Sequence, residues 1–375
     1  MERYNLIYKN ILGILMAGYI ATIVFLNLIT PNKMFSETEN RMLEQKPTFS
    51  LESLFQGKFT KDYETFISDQ FIFRNMWIGL KSDSERALLK NESNGVYLSK
   101  NDCLIQAFIK PDSESFMKKI DSINEIAAGV PDLKKYFMLV PNAAEIFKNK
   151  LPAYAPNDSE KLIIGQTKKY LNESIRFVDV TNALDSKKDE YIFYKTDHHW
   201  TSKGAFYAYS ELSRYMGFTA HDEGFFNIEK VVDDDFYGSL SSRSGYQGLK
   251  ADSIELYIPK KEEKCLVEYI DEHKVTNSIY NMESLKMKDK YGVFFGGNHG
   301  LIKITTNTIG DQNLLVVKDS YANSLIPFLT GNYSEIYVVD LRYYEDDLND
   351  LIKKNKINEL LILYNVNTLY NESSS

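Results

Sequence analysis

The longest unbroken run of apolar positions comes first. From Ile11 to Ile29 only Asn27 is strongly polar. At about 1.5 Å of rise per residue, a helix of that length roughly spans the hydrocarbon core of a bilayer. Arg3 and Lys9 precede it, which favours a cytoplasmic N-terminus. Pro31-Asn32-Lys33 follows where a small-x-small cleavage site would stand. The reading is an uncleaved signal anchor, residues 1–30, with the rest of the chain outside the cell. A cleaved signal peptide and a buried core helix are the alternatives, and the length argues against the second.

From Ser50 to Leu89 the apolar spacing turns helical: Phe59, Tyr63, Phe66 and Ile67, then Phe71, Phe73, Trp77 and Leu80. Ser68 to Arg74 breaks this pattern with a turn. Asn94-Gly95 before Val96-Tyr97-Leu98, and Asn101-Asp102 before Cys103-Leu104-Ile105, predict a small hairpin. Residues 31–110 therefore form a membrane-proximal segment, and residues 111–375 the main domain.

In the main domain, Ser113 to Ala128 reads as a helix ended by Gly129-Val130-Pro131, and Lys135 to Val140 as a buried strand. Ser159 to Leu171 is a second helix and Ile175 to Val180 a second strand. Thr201 or Ser202 caps a helix through Ala205, Tyr209, Leu212 and Met216. Phe218 to Lys260 is polar and contains glycine. It reads as a loop facing a substrate or as an irregular surface insertion, although Ile254 to Ile258 resembles a strand, as does Leu266 to Tyr269. Val293-Phe294-Phe295 leads into Gly296-Gly297-Asn298-His299-Gly300, a turn able to approach a ligand closely. The C-terminal part alternates: strand Leu314–Lys318, helix Tyr321–Leu329, strand Glu335–Leu341, helix Glu345–Lys354, strand Glu359–Tyr364. That alternation predicts a parallel, doubly wound α/β sheet.

Composition changes little in this picture. The net charge of -8 argues against a nucleic-acid partner. Cys103 and Cys265 have no zinc-type spacing. They form one disulfide or remain two thiols.

The chain has only five histidines, and two stand together in Lys195-Thr196-Asp197-His198-His199-Trp200-Thr201. In an extended backbone, Asp197 and His199 point one way and His198 the other. Ser320 follows a strand and opens a helix, where backbone N–H groups can hold an oxyanion. Serine needs a base to take its proton, histidine serves best near neutral pH, and an acid fixes the tautomer. Asp197, His199 and Ser320 supply these three types, and such a triad calls for no cofactor. Asn142, at a strand end, is a candidate oxyanion donor or a helix cap. The rival reading is a metal site of Asp197, His198, His199 and His299, which the divergence of adjacent histidines disfavours. The plain reading makes Asp197 a helix N-terminal charge and the histidines surface groups.

Thr196-Asp197-His198-His199-Trp200-Thr201 resembles the signature of the DHHW protein family. That family is similar to the SGNH-hydrolase-like proteins of polysaccharide O-acetylation, such as the alginate acetyltransferases of the AlgX and AlgJ kind. The resemblance extends to Glu39-Asn40-Arg41, Asp69-Gln70-Phe71 with Arg74, Asn94 to Leu98, Lys318 to Ser324, and Val339 to Tyr344. It implies a flavodoxin-like SGNH α/β/α domain with a mainly parallel sheet, in which the Asp-x-His precedes the serine. It implies the triad Asp197, His199 and Ser320. Asn142, Asn298, Arg342 and Tyr343, near strand ends and turns, are candidate oxyanion or substrate-binding residues beside it. It also implies an acetyl donor delivered by a membrane-bound O-acyltransferase and a cell-surface polysaccharide as acceptor.

Overall fold

The computed structural model describes residues 2–36, 39, 41–99, 102–261 and 265–371. Asn40 and Asn101 lie outside the described residues. The chain forms two compact units: residues 1–90 with 245–247, and residues 91–244 with 248–375. The small sheet at 92–106, expected in the membrane-proximal segment, belongs to the second unit.

The first unit begins with α1 (Glu2–Ile29), within which Ile7–Ile29 is long and apolar enough to cross a membrane. A short antiparallel pair follows, β1 (Phe35–Ser36) with β2 (Arg41–Met42), then α2 (Leu51–Phe55), α3 (Lys58–Asp69) and α4 (Arg74–Ala87). The turn expected between the two helical stretches lies between α3 and α4, where Phe73 takes a left-handed φ of 55°. Asp69, buried, accepts both Arg41 guanidinium nitrogens at 2.8 and 2.5 Å. Arg74 pairs with Glu39. The Arg41 hydrogen bond holds the Asp69 carboxyl below its ordinary range against the opposing effect of burial.

The second unit opens with β3 (Glu92–Ser93), β4 (Val96–Leu98) and β5 (Leu104–Gln106), the hairpin expected there with a third strand added. Then come α5 (Ser113–Gly129), β6 (Lys134–Val140), α6 (Ala143–Ile146), α7 (Glu160–Tyr170), β7 (Ile175–Val178), α8 (Thr181–Asp185) and α9 (Ser202–Met216). A long antiparallel pair follows, β8 (Phe226–Phe236) and β9 (Asp252–Pro259), with α10 (Ser239–Ser244) between them. The remainder is β10 (Leu266–Tyr269), β11 (Lys274–Thr276), β12 (Leu301–Thr305), β13 (Asn313–Lys318), β14 (Glu335–Val339), α11 (Leu348–Lys354), β15 (Glu359–Asn365) and α12 (Val366–Asn371).

Eight strands make one sheet in the order β11-β10-β12-β14-β13-β15-β6-β7. The five strands from β14 to β7 are parallel, and β10 to β12 add an antiparallel edge. Both faces are covered. Leu314 and Val316 belong to one buried cluster, and Leu315 and Val317 to the other. This explains the continuous apolar run of β13, since successive side chains face opposite sides and neither side meets water.

Counted from β13 as position 1, the parallel strands run 2-1-3-4-5, the flavodoxin-like order. Positions 4 and 5 are filled by β6 and β7, which come first in the chain. The segment after position 5 therefore precedes the segment after position 1. That permutation is why the Asp-x-His stands before the serine.

Two expectations are corrected. Phe218 to Lys260 is not an irregular insertion, since it carries the β8–β9 pair with α10 between the strands. The α-helix expected at Tyr321–Leu329 is two 3-10 turns, Ser320–Ser324 and Ile326–Leu329. Trp200 Nε1 donates to the Tyr321 carbonyl at 3.0 Å, the oxygen an α-helix would offer Leu325. The Leu325 N–H goes to Ala322 instead, and Pro327 supplies no N–H at all. Cys103 and Cys265 are not joined in a disulfide.

Candidate active site

Residues 195–199 bend tightly rather than continuing a strand. Phe193 pairs with Trp200 across the bend, and the Thr201 N–H returns to the Ile192 carbonyl at 3.0 Å. Thr201 then caps α9 through the Gly204 N–H. The loop is fixed from within by Asp252. Its buried carboxylate accepts the Lys195 N–H at 2.8 Å, the Thr196 N–H at 2.7 Å, the Thr196 hydroxyl at 2.6 Å and the Tyr191 hydroxyl at 2.5 Å. The Thr196 hydroxyl also receives the Gly238 N–H at 3.0 Å.

Within this frame Asp197, His199 and Ser320 come together. His199 Nδ1 lies 2.5 Å from Asp197 Oδ1, and His199 Nε2 lies 2.8 Å from Ser320 Oγ. Asp197 Oδ1 also accepts the His199 backbone N–H at 3.0 Å, and Oδ2 accepts the Ser239 N–H at 2.8 Å. Burial alone would raise the Asp197 carboxyl. Facing His199 and His198, with these hydrogen bonds, it stands well below the carboxylate range. The acid is thus ionised and aimed at the Nδ1 side of the base.

Gly238 is at this position because nothing larger fits. A Cβ there would stand 2.2 Å from the Asp197 Cβ and 2.4 Å from Oδ2. Trp200, fully buried, bonds Tyr321 O and Ser324 Oγ and so joins the histidine loop to the serine turn. Tyr291 stacks on the His199 ring, with centroids 3.8 Å apart and planes 8° from parallel. Its hydroxyl donates to Ser320 O and reaches Ser324 Oγ, both at 3.1 Å. Asp319, fully buried, accepts the Tyr321 N–H at 2.9 Å and the Asn365 N–H at 2.7 Å. Among the described residues no acceptor takes the Ser320 N–H, which leaves it available to an oxyanion.

His198 does not point away, because the bend places the two imidazoles 3.8 Å apart. Its Nδ1 bonds Ser239 Oγ at 2.6 Å. Loss of water, the neighbouring His199, Arg243 and Arg342 outweigh Asp197 and push it down to about 3, so it is neutral near pH 7. Asp197, His198 and His199 each place a metal-ligating atom within 4.8 Å of the others. Asp197 Oδ1 and His199 Nδ1 already bond each other, and His198 Nδ1 is bonded to Ser239. A cation ligated there would displace these bonds.

The other candidates are spread along the ends of the parallel strands. Asn142 caps α6, its Oδ1 accepting the Ala144 N–H at 3.1 Å. It follows β6, two strands from β13, and its buried Nδ2 has no hydrogen-bond partner among the described residues. Asn298 Oδ1 accepts the Lys318 ammonium at 2.7 Å. Lys318, fully buried beside Asp340, is pushed down to about 8 by desolvation. Asp340 in turn binds the Arg342 guanidinium at 2.9 and 2.8 Å, and Tyr343 lies under that guanidinium. Tyr291, Asp252 and Gly238-Ser239 carried no sequence signal of their own. The glycine in the middle of the polar stretch after β8 was the nearest to one.

The model of the family described as DHHW protein matches residues 90–339, two-thirds of the chain, including Asp197, His199 and Ser320. The chain belongs to the DHHW protein family. Among solved structures, a DHHW family protein from Eubacterium siraeum is 24% identical with a TM-score of 0.65, covering 76% of this chain and 94% of that one. Bacillus cereus PatB1, solved with a sulfonyl adduct, is 20% identical with a TM-score of 0.63, covering 74% and 96%. Another PatB1 structure gives 20% and 0.62, covering 75% and 98%. At these identities the neighbours bear out the fold. No curated protein matches the chain.

Proposed function

We propose that this DHHW protein is a membrane-anchored, extracellular serine O-acetyltransferase acting on a cell-surface polysaccharide. The observation that carries the reading is the continuous hydrogen-bond line from Asp197 through His199 to Ser320 at the C-terminal end of a central parallel strand. Ser320 Oγ attacks the acetyl carbonyl carbon as its proton passes to His199 Nε2. The charge on the carbonyl oxygen is met by the Ser320 N–H. The intermediate collapses, His199 returns the proton to the donor's departing oxygen, and an acetyl ester remains on Ser320. A sugar hydroxyl then repeats the sequence in reverse, giving its proton to His199 and leaving with the acetyl group. Asp197 holds the Nδ1–H tautomer and balances the imidazolium.

The partners in this reading are a membrane-bound O-acyltransferase that presents the acetyl group and a polysaccharide that accepts it. The helix Ile7–Ile29 supports the anchor, and Arg3 and Lys9 before the apolar run favour a cytoplasmic N-terminus. A second reading, a polysaccharide acetylesterase, uses the same three residues with water as acceptor. A third, a scaffold of a polysaccharide export complex, makes no use of the serine. The test is turnover of a chromogenic acetyl ester with and without an oligosaccharide. Acetylated oligosaccharide exceeding free acetate supports transfer. Acetate alone, unchanged by acceptor, would replace it with the esterase. Surface acetylation unaffected by Ser320→Ala would leave the scaffold.

A further inference from the structure

Asn27 is the one strongly polar side chain in the apolar run, and acyl transfer gives it no task. Its Oδ1 accepts the Ile72 N–H, in the turn between α3 and α4, at 2.8 Å. The same turn grips the chain just beyond the helix. Gln70 Oε1 accepts the Lys33 N–H at 2.9 Å, and its Nε2 donates to Lys33 O at 2.9 Å and to Glu44 O at 3.0 Å. Ile23, Leu26 and Asn27 are half-covered while their neighbours are bare. At i, i+3 and i+4 these three share one face.

Whatever covers that face stands at its height in the bilayer. The 23 residues of Ile7–Ile29 make a helix of roughly 34 Å against a hydrocarbon core of about 30 Å. Asn27 therefore lies about 3 Å from the end of the span, and Ile23 about 9 Å from it. The Ile72 N–H that meets Asn27 is at the boundary between headgroups and acyl chains. There each satisfies a polar group that lipid could not.

The start of α4 has the surface such a depth requires. Phe73, Met76 and Leu80 are 61%, 53% and 55% exposed in the whole chain and fall at i, i+3 and i+7. Trp77, half-buried, lies between them, and tryptophan favours this boundary. We propose that the α3–α4 turn and the first two turns of α4 are seated in the outer boundary layer of the bilayer that α1 crosses. Lipid acyl chains, not protein, take Phe73, Met76 and Leu80. This rests on α1 being retained as a span, one part of the proposed function. Its consequence is that the membrane-proximal unit is held to the membrane along a helix face rather than hung from a single tether.

Trp77 is the built-in probe, because the other tryptophan, Trp200, is fully buried in the second unit. The full chain is reconstituted into phosphatidylcholine vesicles, plain or brominated near the headgroup end of the acyl chain. Flotation reports anchoring and emission reports depth. The expected result is full flotation with emission lost only in brominated vesicles. The loss should vanish in Trp77→Phe and shrink in a Met76→Asp/Leu80→Asp pair that keeps ester turnover. Full flotation with equal emission in both vesicles would overturn the seating and leave the anchor standing. So would a loss that persists in Trp77→Phe or is unchanged in the aspartate pair. A chain that does not float would remove the anchor and the seating together.

Discussion

Asp197→Asn keeps the shape of the acid and removes its charge. Three N–H groups address this carboxylate: His199 Nδ1 and the His199 backbone on Oδ1, and the Ser239 backbone on Oδ2. The amide has two orientations. With its oxygen toward His199 it keeps the Nδ1–H tautomer and sets its NH2 against the Ser239 N–H. Turned round, it satisfies Ser239, sets its NH2 against the His199 N–H, and drives the ring to the tautomer that cannot accept the serine proton. Each orientation faces one backbone N–H with an amide N–H, so the two differ by less than about 1 kcal/mol. Both are populated. The productive orientation loses the charge-assisted part of its hydrogen bond, about 1–2 kcal/mol, or roughly 5- to 30-fold in rate. The other is nearly inactive, a loss of about 10⁴-fold. The weighted expectation is a fall in kcat/KM for an acetyl ester of roughly 6- to 200-fold. A change under about 3-fold would deny Asp197 its role. A loss as deep as that of Ser320→Ala would refute the donor count. The sign for stability also follows. A carboxyl whose folded pKa lies below its unfolded value of 3.8 stabilises above that pH and loses this as pH falls, so the variant should flatten unfolding on the acid side of about pH 4.

Tyr291→Phe keeps the ring on His199 and loses the bonds to Ser320 O and Ser324 Oγ, so kcat/KM should fall by less than about 5-fold, whereas Tyr291→Leu frees the imidazole and should cost about 10-fold or more. Equal losses would show that the ring does not hold the base. Asp252→Ala leaves the Tyr191 hydroxyl and the Lys195 and Thr196 backbone N–H groups without their acceptor, while the Thr196 hydroxyl keeps the Phe236 carbonyl, and a thermal melt should register about 3–5 kcal/mol of lost stability; less than about 1 kcal/mol would mean that the loop stands without it. Glu160, buried at Asn142, is raised to about 8 from 4.5, so the folded state holds a proton the unfolded chain lacks and stability falls as pH rises between those values. Lys318, lowered to about 8 from 10.5, has the opposite sign above pH 8, where the unfolded chain holds the extra proton and stability rises with pH. The unfolding midpoint should therefore pass through a minimum near pH 8, and Glu160→Gln should flatten its acid side.

The parallel core was legible because strands buried on both faces must be apolar at every position, as Leu314 to Val317 are. The Asp-x-His was legible because histidine is scarce in this chain, and the serine because it stands where a strand gives way to a helical turn. Strand β8 was not, since most of its residues between Phe226 and Phe236 face solvent and the pair needs little apolar surface. The support for Asp197 was invisible for a different reason. Ser239 contributes a backbone N–H, which any residue possesses, and Gly238 contributes only the lack of a side chain. Tyr291 is one of 26 tyrosines, and its distinction is where the fold brings it. His198 was misplaced because the period-two rule holds for extended chain, and this chain bends.

The most direct measurement is the intact mass of the chain after brief exposure to an acetyl ester, and separately to an aryl sulfonyl fluoride, a probe suggested by the sulfonyl adduct in the PatB1 structure. Wild type should gain one acetyl or one sulfonyl group on Ser320, Ser320→Ala none, and Asp197→Asn should gain it slowly. Folded wild-type protein that gains nothing, or a Ser320→Ala chain that is labelled as fast as wild type, would contradict the assignment of Ser320 as nucleophile.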